Sequence, residues 1–393
     1  PRFGVVDDVV VDDERRVQQL DADGGAWASV FNDGILDANR AADGNQYAAP
    51  WSSVAVVVAY HDAVYQELGA GAPETWDEWM DINADLVDAG QVPLTVSLKG
   101  DDAQIWWLLT NKLNAIFRPL VPEINLIHAD GWEFDPNDLT STAGESYTAD
   151  ELYVAFKKGL IDPAVSEGYR VAAEQVAEMI PFLNDDTGST VPTEVNSRFA
   201  ASEVPQIITL GLVLANVANE IAASGGTSDV RSFNLPTITE DNYPGLTAGG
   251  ENPLSGLRNS FSVNAAAANK EGAIDFLKFI TTPEIATLMY SVQAQGDASA
   301  IKGVEYPADS VIVEGSAQKY AEINAYGFGG APTFDAQDAD EFNAQLQQLM
   351  TGASTIDQFL AARSASNLAA LERNLVLNAD TIDQAFIDEQ LGN

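Results

Sequence analysis

Apolar residues along this chain alternate between short continuous runs and helical three-four spacings. Val54-Ala55-Val56-Val57-Val58-Ala59-Tyr60 is apolar throughout, β-branched and entered from turn residues, which predicts a strand buried on both faces. Pro93 to Leu98, Pro205 to Leu210 and Ser260 to Val263 predict further short strands, and Phe3 to Val11 is a β-rich run at the front. Between the strands lie helices. Thr75 caps one, Glu78 closes a capping box, and Trp79, Ile82, Leu86 and Val87 follow one face until Gly90 ends it. Gln104 to Phe117 predicts an apolar helix carrying Trp106 and Trp107, with more helix near 150–160, 170–183 and 193–203. From Glu271 to Ile280, the residues Ala273, Phe276, Leu277 and Ile280 share a face. Thr282 and Pro283 then start another helix as cap and first-turn proline. The stretch from 306 to 393 is mostly helical with a break at Gly327 to Pro332. Strands alternating with helices predict α/β layers, and no internal repeat interrupts them.

Charge narrows the partners. Against 19 Lys and Arg stand 59 Asp and Glu, a formal net charge of -40 that repels phosphate backbones and excludes nucleic acid. The acidic clusters Asp21 to Gly24 and Asp335 to Asp340 do not fit a twelve-residue calcium loop, so no metal site is expected. Cysteine is absent, which removes disulfides, thiolate zinc sites and a cysteine nucleophile. Only His61 and His128 could serve a triad, no Gly-x-Ser-x-Gly surrounds any serine, and His61 at the end of an apolar strand reads as structural. No cofactor motif is found, and no apolar run reaches membrane-spanning length. The opening residues Pro1 to Val6 carry no basic leader, so the chain is either cytoplasmic or a mature or trimmed form.

Six segments, in order, resemble the extracellular solute-binding proteins of ABC importers, family 1, of the maltodextrin and oligosaccharide type. They are Asp43 to Pro50, Tyr60-His61-Asp62, Gly69 to Glu78, Phe199 to Gly211, Ser262 to Glu284, and Ala331 to Asp335 followed by Leu346 to Gly352. The resemblance covers roughly residues 40 to 365. It implies a two-lobed periplasmic-binding-protein-like α/β fold of type II with a hinge between the lobes. One lobe would hold 1–52 plus 262–298 and the other 60–255 plus 303–393, with crossings near 52–60, 256–263 and 296–303. It also implies an extracellular or cell-surface place, a sugar ligand and the membrane subunits of an ABC transporter as partners. Three features depart from the family pattern. Val213 stands where a cleft tryptophan is common, and His61-Asp62 replaces Asn-Lys. The residues before Tyr47 match only the tail of the family's opening region, so the first lobe looks shortened at its N-terminus.

Sugars present C–H faces and many hydroxyls, so their sites need aromatic plates beside neutral and charged hydrogen-bonders. Family position nominates Trp51 at the first crossing and Trp106 and Trp107 at a helix start. It also nominates Gly249, Gly250, Arg258 and Asn259 before the second crossing, and Tyr326, Phe328 and Phe334 in the C-terminal break. Trp51 suits a cleft or a core equally. Adjacent helical residues diverge by about 100°, so one of Trp106 and Trp107 can face the cleft and the other the core. Arg258 suits hydroxyl or carboxylate recognition, or a salt bridge to one of the many acids. Trp76 and Trp79 read as packing residues.

The resemblance points to a binder, not an enzyme. Two alternatives are weighed against it. One is a glycoside hydrolase working through paired carboxylates, for which no motif singles out a pair. The other is a binding-protein fold reused as a subunit of an extracellular polymer, a neighbouring copy donating a strand to the open edge of the first lobe.

Overall fold

The computed structural model describes residues 27–32, 35–38, 46–99, 104–128, 131–135, 147–223, 225, 229–236, 238–244, 255–292, 298–306 and 333–392. The expectations for Phe3 to Val11, Asp21 to Gly24 and the break at 327–332 lie outside these residues.

One strand organises the molecule. β1, Ala49–His61, is long enough to belong to two sheets in succession. Its first half pairs antiparallel with β5 (Ser255–Phe261) from Ala49 opposite Phe261 to Ala55 opposite Ser255, and with β6 (Ala298–Ser299). The second half pairs antiparallel with β3 (Gln206–Leu210) and with β4 (Val230–Asn234). β2, only Leu94–Thr95, lies parallel to β3 at the sheet edge. The second sheet therefore runs β2-β3-β1-β4. The register between β1 and β5 shifts at Ser52 and again at Ser53, the kind of irregularity that bends a strand as it changes sheets.

Each half of β1 has its own core. The smaller core gathers Trp27, Phe31, Ile35 and Trp51 with Ile274, Leu277 and Ile280 of helix Lys270–Ile280 and Tyr290 of helix Pro283–Val292. Val304 and Tyr306 pack against the same cluster. The larger core fills one face of the second sheet with Val56, Val58 and Tyr60, under helices Trp76–Asp88, Trp106–Phe117, Glu167–Ala177, Ala336–Met350 and Ile356–Leu377. Val57 and Ala59 point the other way, into a third cluster with Phe199, Ile207, Leu214 and Val217. Alternation along β1 thus buries both faces, as its unbroken apolar run requires.

Local signals and packing agree in most elements. Helix Trp76–Asp88 carries the Thr75–Glu78 capping box, and Gly90 beyond it takes a left-handed φ of 78°. Trp79 and Ile82 face inward, but Val87 is 44 % exposed, because it sits about 100° around from the buried Leu86. The buried polar residue of this helix is Asn83. It accepts from Gln206 Nε2, while Tyr65 Oη (2.8 Å) and Trp79 Nε1 (2.9 Å) both donate to Gln206 Oε1. In helix Lys270–Ile280 the buried stripe is Ile274, Leu277 and Ile280, and Phe276 is 59 % exposed. Gly168 permits the close crossing of helices Glu167–Ala177 and Trp106–Phe117, since a Cβ there would collide with Ile116. The strand expected over 93–98 shortens to two residues because Ser97 N–H bonds the Gln104 side chain instead of β3.

Candidate functional site

In the larger sheet β2, β3 and β4 all run antiparallel to β1, so their carboxyl ends gather where β1 arrives from the smaller sheet. Val56 faces Leu210 at the end of β3, and Val57 faces Asn234 at the end of β4. In open α/β sheets the crevice outside the strands' carboxyl ends is where ligands bind. Three connections leave from this end: the loop after β2 that leads to Trp106 and Trp107, helix Gly211–Ala223 directly after β3, and the chain after Asn234.

The loop after β2 is held by its own polar residues. Leu98 N–H donates to Thr187 O at 2.9 Å, and Ser97 Oγ donates to Thr190 O at 2.8 Å while accepting from Lys99 N–H at 3.1 Å. Gln104 then returns the chain to the sheet, its amide bonding both Ser97 N–H and the Ile208 carbonyl. Immediately beyond it, Trp106 and Trp107 open their helix half-buried, ring centroids 5.6 Å apart and planes at 61°. One side of the pair packs on the larger core and the rest faces solvent.

The nominated residues divide among the strand ends, the crossing, the two cores and the stretches outside the described residues. Trp106 and Trp107 meet at the strand ends. Asn259 is exposed on β5, and its Nδ2 donates to Ser52 Oγ at 3.0 Å across the crossing. Trp51 is only 5 % exposed, stacked on Tyr290 and edge-on to Phe261 in the smaller core. Phe334 is buried in the larger core, where its N–H donates to Asp338 Oδ2 at 3.0 Å. Arg258 lies on β5. Gly249, Gly250, Tyr326 and Phe328 lie outside the described residues. Sequence reasoning missed Ser52 and Gln104. Nothing local marks either one, because their partners come from other strands.

Displaced pKa values occur away from the strand ends. Burial drives the Lys112 ammonium well below its ordinary value, opposed by Glu178. Its Nζ donates to Gln175 Oε1 at 2.8 Å and lies 3.5 Å from the Trp76 ring centre. His61 places Nδ1 3.0 Å from Asp229 Oδ1 and Nε2 2.9 Å from Phe199 O, at the far end of β1. Among the described residues no group of three or more His, Asp or Glu could hold a metal ion, and no helix is long and apolar enough to cross a membrane. Asp335 and Asp338, from the acidic cluster at 335–340, instead pair with Arg373 and Arg363.

Residues 8–287 match the family model described as bacterial extracellular solute-binding protein. No curated protein matches the sequence. Among solved structures, a chitin oligosaccharide binding protein is 15% identical, with 94% of this chain and 79% of that one covered at a TM-score of 0.61. A sugar transporter from Bacillus licheniformis in complex with stachyose is 14% identical, with 94% and 81% covered at 0.56. RafE from Streptococcus pneumoniae, in its apo form, is 16% identical, with 90% and 78% covered at 0.59. At these identities the likeness is one of fold: a two-lobed type II solute-binding architecture.

Proposed function

Because this chain belongs to the bacterial extracellular solute-binding proteins, we propose that it captures a neutral sugar or oligosaccharide between its lobes and delivers it to the membrane subunits of an ABC importer. The observation that carries the proposal is the half-buried Trp106–Trp107 pair standing at the carboxyl ends of β2 and β3, beside the point where β1 changes sheets. Indole faces stack on sugar C–H faces, and the exposed Asn259 amide can bond a sugar hydroxyl without desolvating a charge. Similar folds solved with raffinose and stachyose add support. The lobes would follow the two cores, and the boundary expected at 303 moves past Tyr306, because Ala300, Ile301, Val304 and Tyr306 all pack with the smaller one; the lobes would turn about the crossings near 52–60 and 256–263. Trp106, Trp107 and Asn259 would touch the ligand, and Arg258 precedes Asn259 on β5. Trp51 and Phe334 would support the two walls from behind.

Ligand that binds only the folded chain raises the melting temperature. A thermal-shift screen with raffinose, stachyose, galactose and chitin oligosaccharides should show a dose-dependent rise for at least one. Chromogenic glycosides should release no dye, and turnover would favour the hydrolase alternative.

A further inference from the structure

β2 and β3 run parallel with Leu94 opposite Gln206 and Thr95 opposite Ile207. Continued in that register, the next rung would bring Ser97 N–H to the Ile208 carbonyl. That rung is not made directly. Ser97 N–H donates instead to Gln104 Oε1 at 2.9 Å, and Gln104 Nε2 donates to Ile208 O at 2.8 Å. A side-chain amide has taken the place of one backbone rung and spans the gap between the two diverging strands. Gln104 is 3 % exposed. Its backbone is committed as well: its N–H donates to Ser97 O at 3.1 Å, and its carbonyl accepts from Trp107 N–H at 3.3 Å.

We propose that Gln104 is a positioning residue for the ligand site: its amide wedge sets the opening between the carboxyl ends of β2 and β3 and fixes the first helical turn that carries Trp106 and Trp107. The wedge acts through these partners and does not itself touch ligand. An amide is suited to the place because it offers one acceptor and one donor on opposite sides of a rigid plane, as a peptide group does. No hydroxyl or carboxylate offers both at that span. With the amide gone, Ser97 N–H and Ile208 O would be left unpaired in a buried place. They would recover a partner by closing toward each other, which narrows the opening and turns the tryptophan pair.

That Trp106 and Trp107 contact sugar rests on the proposed function, so the test has two arms. The first needs no ligand. Adjacent indoles couple in near-ultraviolet circular dichroism, and the Trp106→Phe difference spectrum isolates this pair from the others. Gln104→Met, close in size and without the amide, should lose that coupled signal while its thermal melt stays cooperative. An unchanged signal in folded Gln104→Met overturns the inference. The second arm titrates the tightest binder among raffinose, stachyose and chitin oligosaccharides. Gln104→Met should bind it about tenfold more weakly, the order of effect of losing a buried hydrogen-bonded pair. Gln104→Glu keeps the acceptor for Ser97 and, as carboxylate, lacks the donor for Ile208. On protonation its O–H restores that donor, so its affinity should recover toward wild type as pH falls, against a flatter wild-type profile. A merely stabilising residue would lower the melting temperature and leave affinity and pH profile unmoved in the folded protein, and that outcome overturns the inference. If Trp107→Ala binds sugar normally, the sugar reading fails, while the dichroism arm still decides the wedge.

Discussion

The Tyr290 hydroxyl donates to the Trp51 carbonyl at 3.2 Å while the two rings stack at 5.6 Å between centroids. Helix Pro283–Val292 is thereby pinned to the crossing strand both through its backbone and through an aromatic face. Trp51→Ala should therefore act first on stability. Truncating a buried Trp costs about 3–5 kcal/mol through lost burial and the cavity left behind. Urea unfolding should show a free-energy loss of that size, and an unchanged midpoint would mean that Trp51 is not a core residue.

Arg363 and Asp338 form an ion pair at 2.9 Å with neither side chain exposed, inside a cage that includes Ser366, Gln345 and Asn367. Removing one partner strands the other charge, which costs about 3–5 kcal/mol. Asp338→Ala should lower the unfolding free energy by that amount, and the double variant Asp338→Leu with Arg363→Met should recover a large part of it. Additive losses in a double-mutant cycle would contradict the pairing.

Acid should weaken the larger lobe. The carboxyl of Asp186 is held far below its ordinary value by Arg198, with help from Asn184, and that of Asp335 is lowered by Arg373. For Asp229 burial pushes upward, but bonds from His61 and the Ala63 N–H outweigh it. A depressed folded-state pKa contributes stability that is complete above the ordinary value of 3.8 and is lost as pH falls through the folded-state values. Urea midpoints should hold level down to about pH 4 and then drop. Arg198→Met with Arg373→Met should lower the plateau and flatten the drop.

Lys112 has the opposite arm. Its folded-state value lies below the ordinary 10.5, so between the two values the unfolded chain binds the extra proton and stability climbs with pH. Lys112→Met, which removes the buried amine and keeps the stem, should flatten that climb. A slope that survives the substitution would assign it to another group.

What the sequence made legible was local. The Thr75–Glu78 box, Pro283 in the first turn and the apolar run of β1 are each encoded within a few residues, and each forms as the chain reads. The buried stripe of helix Lys270–Ile280 was half legible. Spacing groups Phe276 with Leu277 and Ile280, but only packing against the smaller core chooses Ile274 over Phe276. At the site, the family resemblance nominates Trp106 and Trp107, and the residues themselves show only that two aromatics open a helix. Gln104 could not be nominated, because its partners are seven and about a hundred residues away, and only the β2–β3 register gives the amide its place.

The proposed function places a neutral sugar against Trp106 and Trp107 at the strand ends. Isothermal titration of wild type and Trp107→Ala with raffinose, stachyose, galactose and chitin oligosaccharides tests it most directly. Binding of one sugar per chain should saturate and be weakened at least about thirtyfold in Trp107→Ala, the equivalent of a hot-spot loss of about 2 kcal/mol. Absence of heat for every sugar, or equal affinity in the two proteins, would contradict it.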